Sequence, residues 1–311
     1  MRGKRLLKEE GTEGVMRNIK KIGWIGTGIM GKSMCRRLIE AGYEVALFTR
    51  TRRKAEELID AGATWCGSPR AVAERSDCTF TIVGYPRDVR EVVLGENGVL
   101  SGARSGSVIV DMTTSQPQLA EEIAAAASAK GVAALDAPVS GGDVGARDGT
   151  LAIMCGGEGA AYDSVLPLFQ CMGENIELLG GPGRGQHAKM CNQILVAAGI
   201  VGTVESLLYA YKSGMNAEQV IRIVGSGAAG SWAINNLGPR IAARDFAPGF
   251  MIKHFIKDMA IALDEAERME LSLPGLALTQ EFYKAASAQG LGELGTHGLY
   301  MVLARLNGIE T

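Results

Sequence analysis

The segment with the most chemical potential opens a long apolar helix in the second half of the chain. In this segment, Gly183–Gln193 (GRGQHAKMCNQ), Lys189 and Asn192 are three positions apart, so they share one face of a helix. Burial and the positive end of the helix both favour a neutral amine, which would make Lys189 a usable proton donor or acceptor. A surface lysine whose stem lies along the helix would have the same sequence pattern. The segment therefore predicts either an acid/base lysine or an ordinary surface lysine.

A second segment, Asp136–Gly142 (DAPVSGG), follows the C-terminal end of a predicted strand, where open α/β sheets bind their ligands. The Ser140 hydroxyl, beside the N–H groups of Gly141 and Gly142, could hold a carboxylate without steric obstruction. An ordinary glycine-rich turn has the same composition. This segment alone is compatible with either interpretation.

A third segment, Gly26–Gly31 (GTGIMG), has the spacing GxGxxG between a predicted strand and a predicted helix. The first glycine permits a tight turn, the second lets the backbone approach a pyrophosphate, and the third lets helix and strand pack closely. The helix then offers free N–H groups to the phosphates. In this context the motif predicts a dinucleotide site formed by Gly26, Thr27, Gly28, Ile29, Met30 and Gly31.

The type of dinucleotide is indicated where the second predicted strand ends. NAD-preferring enzymes place an Asp or Glu there, whereas Arg50–Lys54 (RTRRK) contains four cations in five residues and no carboxylate. Cations are disfavoured at a helix N-terminus, and a bound 2′-phosphate of NADP would resolve that conflict. A solvated start of a helix is the alternative. We expect NADP to be preferred, with NAD possible, and Arg50 and Thr51 to contact the phosphate.

These segments need elements to position them, and the hydrophobic pattern changes character near residue 182. Before it, short β-rich runs alternate with helical ones, which predicts a Rossmann-type, doubly wound and mostly parallel sheet. After it the pattern is helical, starting with a helix over about 186–212 that is apolar on nearly every face. We expect an N-terminal extension at 1–20, an NADP-binding domain at 21–182 and an all-helical domain at 183–311. Predicted strands are 22–25, 45–48, 80–83, 108–111, 133–136, 151–155 and 176–179; the other predicted helices are 30–41, 52–61, 117–129, 217–224, 234–243, 257–269, 276–288 and 298–305.

Composition limits the classes of function. The 311 residues include 42 glycines, 47% are hydrophobic and 21% are charged, so a sizeable core is available and a disordered chain is excluded. The formal net charge of −2 gives no support to nucleic-acid or membrane-surface binding. The six cysteines form no CxxC pair and there are three histidines, so we expect buried free thiols and no metal site.

Location follows only by default. The longest apolar run, Ile194–Val204, is too short for a membrane span, and the charged first 18 residues lack a signal-peptide core. We therefore expect a cytoplasmic protein. Met16 is an alternative start, which leaves open whether residues 1–15 belong to the native chain.

Taken together, the motifs resemble the β-hydroxyacid dehydrogenase family, which includes 3-hydroxyisobutyrate dehydrogenases, tartronate semialdehyde reductases and succinic semialdehyde/glyoxylate reductases. The resemblance runs from about Lys21 to Leu306 and includes Gly149–Leu151 and Lys257–Asp258. It implies an NADP-dependent oxidoreductase that interconverts a small, carboxylate-bearing β- or γ-hydroxy acid and its semialdehyde. It also implies a homodimer or homotetramer assembled through the helical domain.

The resemblance assigns roles residue by residue. Lys189 would be the catalytic acid/base, and Asn192 would orient it or the substrate. Thr114 would lie by the nicotinamide, and Lys257 would contact cofactor or substrate. Ser140, Gly141 and Gly142 would hold the substrate carboxylate, Arg50, Thr51 and Lys54 match the pattern of NADP-using members, and Val83 and Gly84 complete the expected cofactor set.

Two departures from the family pattern leave the substrate open. Glu293–Gly298 (ELGTHG) replaces the usual polar segment before the last helix, so the pocket lid would differ, and Trp232 would narrow the pocket. One alternative function is a catalytically silent NADP-binding or reader protein on the same scaffold. Another is imine reduction, although imine reductases generally lack a lysine at the position of Lys189. The larger 6-phosphogluconate dehydrogenases need a longer helical domain than this chain has.

Overall fold

The first half of the molecule is built on a nine-stranded sheet. A computed structural model describes residues 19–310. Six strands run parallel in the order β3-β2-β1-β4-β5-β6, and β8 continues the sheet antiparallel to β6 and β7 and parallel to β9. This order confirms the predicted Rossmann-type fold class. The strands are β1 Lys21–Ile25, β2 Glu44–Phe48, β3 Thr64–Trp65, β4 Cys78–Thr81, β5 Val108–Asp111, β6 Ala133–Asp136, β7 Val139–Ser140, β8 Leu151–Gly157 and β9 Gly173–Leu178.

Helices cover both faces of this sheet, as the apolar character of the central strands requires. Every residue of β4 and of β5 is buried, so neither face of these strands meets water. Trp24 and Phe80, on the neighbouring strands β1 and β4, stack in the core with their ring centroids 5.5 Å apart. The helices of this half are α1 Ile29–Glu40, α2 Glu56–Asp60, α3 Pro69–Ala73, α4 Pro86–Leu94, α5 Val99–Gly102, α6 Pro117–Ser128, α7 Gly142–Asp148 and α8 Gly159–Gln170, with a 3₁₀ turn at Arg52–Ala55.

The second half is helical and is organised around the long helix α9, Arg184–Lys212. α9 packs against β8 on one side and against helices α12, α13 and α14 on the other. A second hydrophobic core forms there around Val204, Phe255 and Tyr283. The other elements are α10 Ala217–Gly225, a π-helical turn Ala233–Leu237, α11 Gly238–Ala242, α12 Ile252–Arg268, α13 Pro274–Ala288, a 3₁₀ turn Thr296–Gly298 and α14 Leu299–Leu306.

Helix α9 also meets a length and composition test for crossing a membrane. Among the described helices it is the one that does, with a mean hydropathy of 1.7 in its most apolar window, of which 39% is buried inside the fold. The core helix of a helical bundle passes the same test, so the finding is weak evidence for a span.

Several boundaries differ from the predicted ones. The fourth strand is Cys78–Thr81 rather than 80–83, because the N–H of Val83 leaves the ladder and donates to the Thr113 hydroxyl. The helix predicted at 257–269 begins earlier, at Ile252, and the one predicted at 234–243 is divided into a π turn and α11 just before Pro239, which has no N–H to donate. The predicted helix 52–61 starts as a 3₁₀ turn, strands β3 and β7 were not predicted, and β9 starts at Gly173.

Not all of the cysteines are buried. Cys191 is exposed and Cys171 is half-buried, so the prediction of buried thiols is wrong for them, although Cys35, Cys66, Cys78 and Cys155 are buried and all six are free. Cys191 is exposed because it lies on the outward face of α9. The predicted extension 1–20, including Met16, lies almost entirely outside the described residues.

Candidate active site

The glycine-rich loop after β1 has three glycines with different surroundings. Gly26 has a φ of +101°, and a Cβ there would lie 2.1 Å from the Ile82 carbonyl oxygen. A Cβ on Gly31 would lie 2.3 Å from the Gly26 carbonyl oxygen. A Cβ on Gly28, by contrast, would have none of the described atoms within 4 Å. The first and third glycines are therefore needed by the protein itself, and the second leaves room for a ligand.

The start of α1 offers hydrogen-bond donors to that space. Ile29 and Met30 form its first turn, which has neither a side-chain cap nor an acidic residue among the described contacts. The Thr27 hydroxyl beside it is buried and has no hydrogen-bond partner in the described part of the chain. A phosphate-bearing dinucleotide fits both observations, because it would bind the free N–H groups and the hydroxyl.

The basic cluster at the end of β2 faces solvent. The Arg50 side chain is 85% exposed and lies 3.8 Å from a carboxylate oxygen of Asp88, on α4. Thr51 and Lys54 are also exposed, on the same edge of the sheet. The Arg52 guanidinium has turned away from them and lies over the Trp65 ring, 5.1 Å from its centroid. The three side chains predicted to contact the phosphate, Arg50, Thr51 and Lys54, are therefore all accessible from solvent.

The loops that follow β4 and β5 are joined to each other by hydrogen bonds. The loop Val83–Gly84 after β4 is tied to the loop after β5, because the Val83 N–H donates to the Thr113 hydroxyl at 3.0 Å. Asp111 accepts a hydrogen bond from the Thr113 N–H at 3.1 Å, and burial raises the pKa of this carboxyl to about 6. Thr114 follows, and its carbonyl oxygen accepts a hydrogen bond from Lys257 Nζ at 2.5 Å. The structure thus brings Thr114 and Lys257 together from opposite halves of the chain.

Lys189 lies in the second turn of α9 and is buried, with 6% of its surface exposed. Its Nζ donates to the Val139 carbonyl oxygen at 2.7 Å. Burial lowers its pKa to about 8, with Asp258 acting in the opposite direction and Lys257 lowering it further. The surface-lysine alternative is therefore wrong, and the amine loses its proton at a pH closer to neutral than an exposed lysine does.

A line of polar side chains links Asn192 to Lys257. The Asn192 amide donates to Gln193, which donates to an Asp258 carboxylate oxygen at 2.6 Å. The other oxygen of Asp258 forms an ion pair with Lys257 Nζ at 2.8 Å. The buried Asp258 side chain thus pairs with Lys257 and interacts electrostatically with Lys189, which limits the cost of burying either amine.

The serine and glycine segment lies directly beside the lysine. Val139 and Ser140 form the short strand β7, which pairs with β8, so Ser140 lies in a strand and not in the predicted loop. Gly141 and Gly142 have φ values of +132° and +66°, which turn the chain sharply into α7. A Cβ on Gly142 would have none of the described atoms within 4 Å. Gly142 therefore borders open space, and Ser140 is next in sequence to the residue whose carbonyl Lys189 contacts.

Two family models match consecutive parts of the chain. One describes the NAD binding domain of 6-phosphogluconate dehydrogenase and matches residues 21–181. The other describes the NAD-binding of NADP-dependent 3-hydroxyisobutyrate dehydrogenase and matches residues 183–303. The chain belongs to the β-hydroxyacid dehydrogenase family. The predicted resemblance is thereby confirmed, and the chain is an NAD(P)-dependent oxidoreductase of this family.

Individual relatives agree with this assignment. The chain is 53% identical to "Probable 3-hydroxyisobutyrate dehydrogenase-like 1, mitochondrial" of Arabidopsis thaliana, over 93% of this chain and 87% of that protein. It is 40% identical to 2-hydroxy-3-oxopropionate reductase of Escherichia coli, over 91% of this chain and 97% of that protein. A crystal structure of 3-hydroxyisobutyrate dehydrogenase from Salmonella typhimurium superposes with a TM-score of 0.83 at 27% identity, covering 91% and 99% of the two chains.

The start of α9 in this β-hydroxyacid dehydrogenase is held by Asp136, a residue with no predicted role. Asp136, at the end of β6, accepts hydrogen bonds from the N–H groups of Gly183 and Gln186, both at 2.8 Å. Burial raises the pKa of this carboxyl, and these N–H groups oppose the shift. The carboxylate caps the helix from 47 to 50 positions away, which local spacing cannot reveal.

The two departures from the family pattern have different surroundings. Glu293–Gly298 pairs through its backbone with the segment before α12: the Gly295 N–H donates to Phe246 and the Thr296 N–H to Phe250, both at 3.0 Å. Trp232 precedes the π-helical turn and is 62% exposed. Their predicted influence on a pocket lid and on pocket width remains a prediction.

Proposed function

We propose that this enzyme reduces small semialdehyde acids with NADPH, and oxidises the matching β- or γ-hydroxy acids in reverse, with Lys189 as proton donor or acceptor. The observation that carries the proposal is the placement of the Lys189 amine. It is buried, and its Nζ lies 2.7 Å from the carbonyl oxygen of the residue preceding Ser140. An acid/base group and a candidate carboxylate site are thus neighbours.

The acid/base role follows from the surroundings of the amine. When bound, the nicotinamide supplies or accepts the hydride. Lys189 uses one N–H on the Val139 carbonyl, which leaves two to donate to a substrate oxygen. Because its pKa is lowered to about 8, the amine can be protonated for reduction and neutral for oxidation within the ordinary pH range.

Substrate choice is assigned to the Ser140–Gly142 segment. A Ser140 hydroxyl and backbone N–H groups at positive φ form a concave set of donors that suits a carboxylate. Lys257 and Asn192, joined through Asp258, would bind substrate or cofactor on the opposite side. A small semialdehyde that carries a carboxylate would contact both.

Preference for NADP is assigned to the exposed basic cluster. Arg50, Thr51 and Lys54 face solvent at the edge where the adenosine ribose of a dinucleotide binds in this fold. Asp88, on α4, has a carboxylate oxygen 3.8 Å from the Arg50 guanidinium, and it fixes its own loop by accepting the Tyr85 N–H. A 2′-phosphate would be a stronger partner for Arg50 than this solvent-screened carboxylate.

The test is a substrate panel assayed with NADPH and with NADH. We expect succinic semialdehyde and related semialdehyde acids to react, and butyraldehyde to lose at least ~10²-fold in kcat/KM through the missing charge-assisted contacts. Comparable values for butyraldehyde and succinic semialdehyde would contradict the carboxylate site. Measurable imine reduction without aldehyde reduction would favour the imine reductase alternative.

The same proposal includes a homodimer or homotetramer. Leu195 and Tyr209 on α9 are 74% and 76% exposed in the single chain, and both lie on the outward stripe of this apolar helix. Large apolar side chains in such a stripe indicate a surface that another copy covers. Sedimentation velocity of Leu195→Glu should show a smaller particle than the unmodified protein.

A further inference from the structure

We propose that Gln186 is the positioning residue that holds the loop Thr113–Ser115 at a set distance from Lys189. The inference rests on the proposed function, because it concerns the loop beside the nicotinamide and the amine that moves the proton. It concerns a side chain that touches neither cofactor nor substrate in the roles assigned above.

The Gln186 amide is fully buried and uses both of its ends on this loop. Its Oε1 accepts the Ser115 N–H at 2.8 Å, and its Nε2 donates to the Thr113 carbonyl oxygen at 2.7 Å. The two bonds enclose Thr114, the residue expected beside the nicotinamide. A planar amide that bonds two backbone groups allows little movement of the residue between them.

The backbone of Gln186 is also held in place. Its backbone N–H donates to Asp136 at 2.8 Å, so the first turn of α9 is fixed to the end of β6. Lys189 is three positions further along the same helix and lies on the same face. The other described hydrogen bonds of the loop involve Val83, Asp111 and Lys257, which are not on α9. Gln186 therefore links the loop to the helix that carries the proton donor.

Hydride transfer requires the carbonyl carbon to face the cofactor while its oxygen stays within hydrogen-bond reach of the acid. A misplacement of about 1 Å can cost roughly 10²-fold in rate. Loss of the Gln186 amide should therefore lower kcat while KM for the cofactor changes little, because the phosphates are held elsewhere.

The first test compares Gln186→Met with Gln280→Met. Gln280 is also a buried glutamine, but it lies on α13 and makes a single 3.5 Å hydrogen bond to Ile256. In the cofactor-free protein, we expect amide hydrogen exchange of the peptide around Ser115 to be roughly tenfold faster in Gln186→Met and unchanged in Gln280→Met. We also expect kcat to fall at least tenfold in Gln186→Met, with KM for NADPH within about twofold of the unmodified enzyme.

The second test uses Gln186→Glu and its pH dependence. A protonated carboxyl can donate to the Thr113 carbonyl and accept the Ser115 N–H as the amide does, whereas a carboxylate has no proton to donate. Burial and the carboxyl groups of Asp136 and Asp111 raise the pKa of a carboxyl at this position, and the amines of Lys189 and Lys257 oppose that shift. The ratio of its kcat to that of the unmodified enzyme should therefore rise as pH falls, and the ratio for Gln186→Met should stay flat.

Unchanged exchange at Ser115 in Gln186→Met, or a flat ratio for Gln186→Glu, would overturn the inference. If Gln186→Met does not fold, the Gln186→Glu profile decides alone. The proposed function fails separately, if Lys189→Met retains turnover. Loss of turnover in Lys189→Met together with normal Gln186 variants would overturn only the positioning role.

Discussion

The two ends of the proposed site, around Arg50 and around Lys189, hold their charges in opposite environments. At the end proposed to bind the adenosine, Arg50 is 85% exposed, and its ion-pair partner among the described residues is the Asp88 carboxylate at 3.8 Å. At the end proposed to carry the proton donor, Lys189 is 6% exposed, donates to the Val139 carbonyl oxygen and interacts electrostatically with Asp258. Exposed cations are screened by water and ions, so they can select a cofactor but have little influence on acid strength. Burial, in contrast, changes the pKa of the amine itself.

The largest expected effect is at the buried end. Lys189→Met removes the proton donor and should lower kcat by at least ~10²-fold, the usual scale of general acid catalysis. Lys189→Arg should restore little, because a guanidinium does not release its proton at neutral pH. The matched control is Lys212→Met, which changes an exposed lysine in the last turn of the same helix. Steady-state kinetics of the variants would measure the effect. Normal turnover in Lys189→Met would contradict the proposed acid/base role of the buried amine.

An intermediate effect is expected at the exposed end. Arg50→Gln loses a charge-assisted phosphate contact worth about 1.5–3 kcal/mol, so KM for NADPH should rise roughly 10- to 100-fold while KM for NADH changes little. Arg222→Gln, an exposed arginine on α10, is the control. Equal use of NADPH and NADH by the unmodified enzyme would contradict the assignment of the basic cluster.

The smallest expected effect is the response to ionic strength, which compares the exposed and buried ends without a substitution. Raising ionic strength from about 0.05 M to about 0.5 M should raise KM for NADPH several-fold, since the Debye length becomes shorter and the contacts around Arg50 are exposed. The kcat should stay within about twofold, because Lys189 is excluded from solvent. Steady-state kinetics at both salt concentrations would measure KM for NADPH and kcat. A kcat that falls as KM rises would argue against a buried acid.

Much of this architecture was predictable because its signals are local. The GxGxxG spacing, the alternation of strands with helices and the apolar run of α9 all lie within short windows of sequence, and they predicted the fold class and the dinucleotide loop. Lys189 was found by its place at the start of that helix. Its burial and its lowered pKa could not be predicted, since they depend on the distant residues Val139 and Asp258.

The missed residues have partners far along the chain. Gln186 bonds backbone groups 71 and 73 positions away, and Gln193 bonds Asp258 across 65 positions. A buried polar residue in a helix shows no periodic signal that distinguishes it from a surface one. Only the folded structure shows that such a residue is buried and which groups it contacts. The same reason explains the error at β4, where a side chain from another loop, Thr113, ends the strand.

The most direct test of the buried acid is the pH dependence of kcat in both directions of the reaction. Reduction needs the protonated amine and oxidation the neutral amine. The kcat for semialdehyde reduction should therefore fall as pH rises through about 8, and the kcat for hydroxy acid oxidation should rise through the same value. Parallel profiles in the two directions, or the same inflections in Lys189→Met, would show that another group moves the proton.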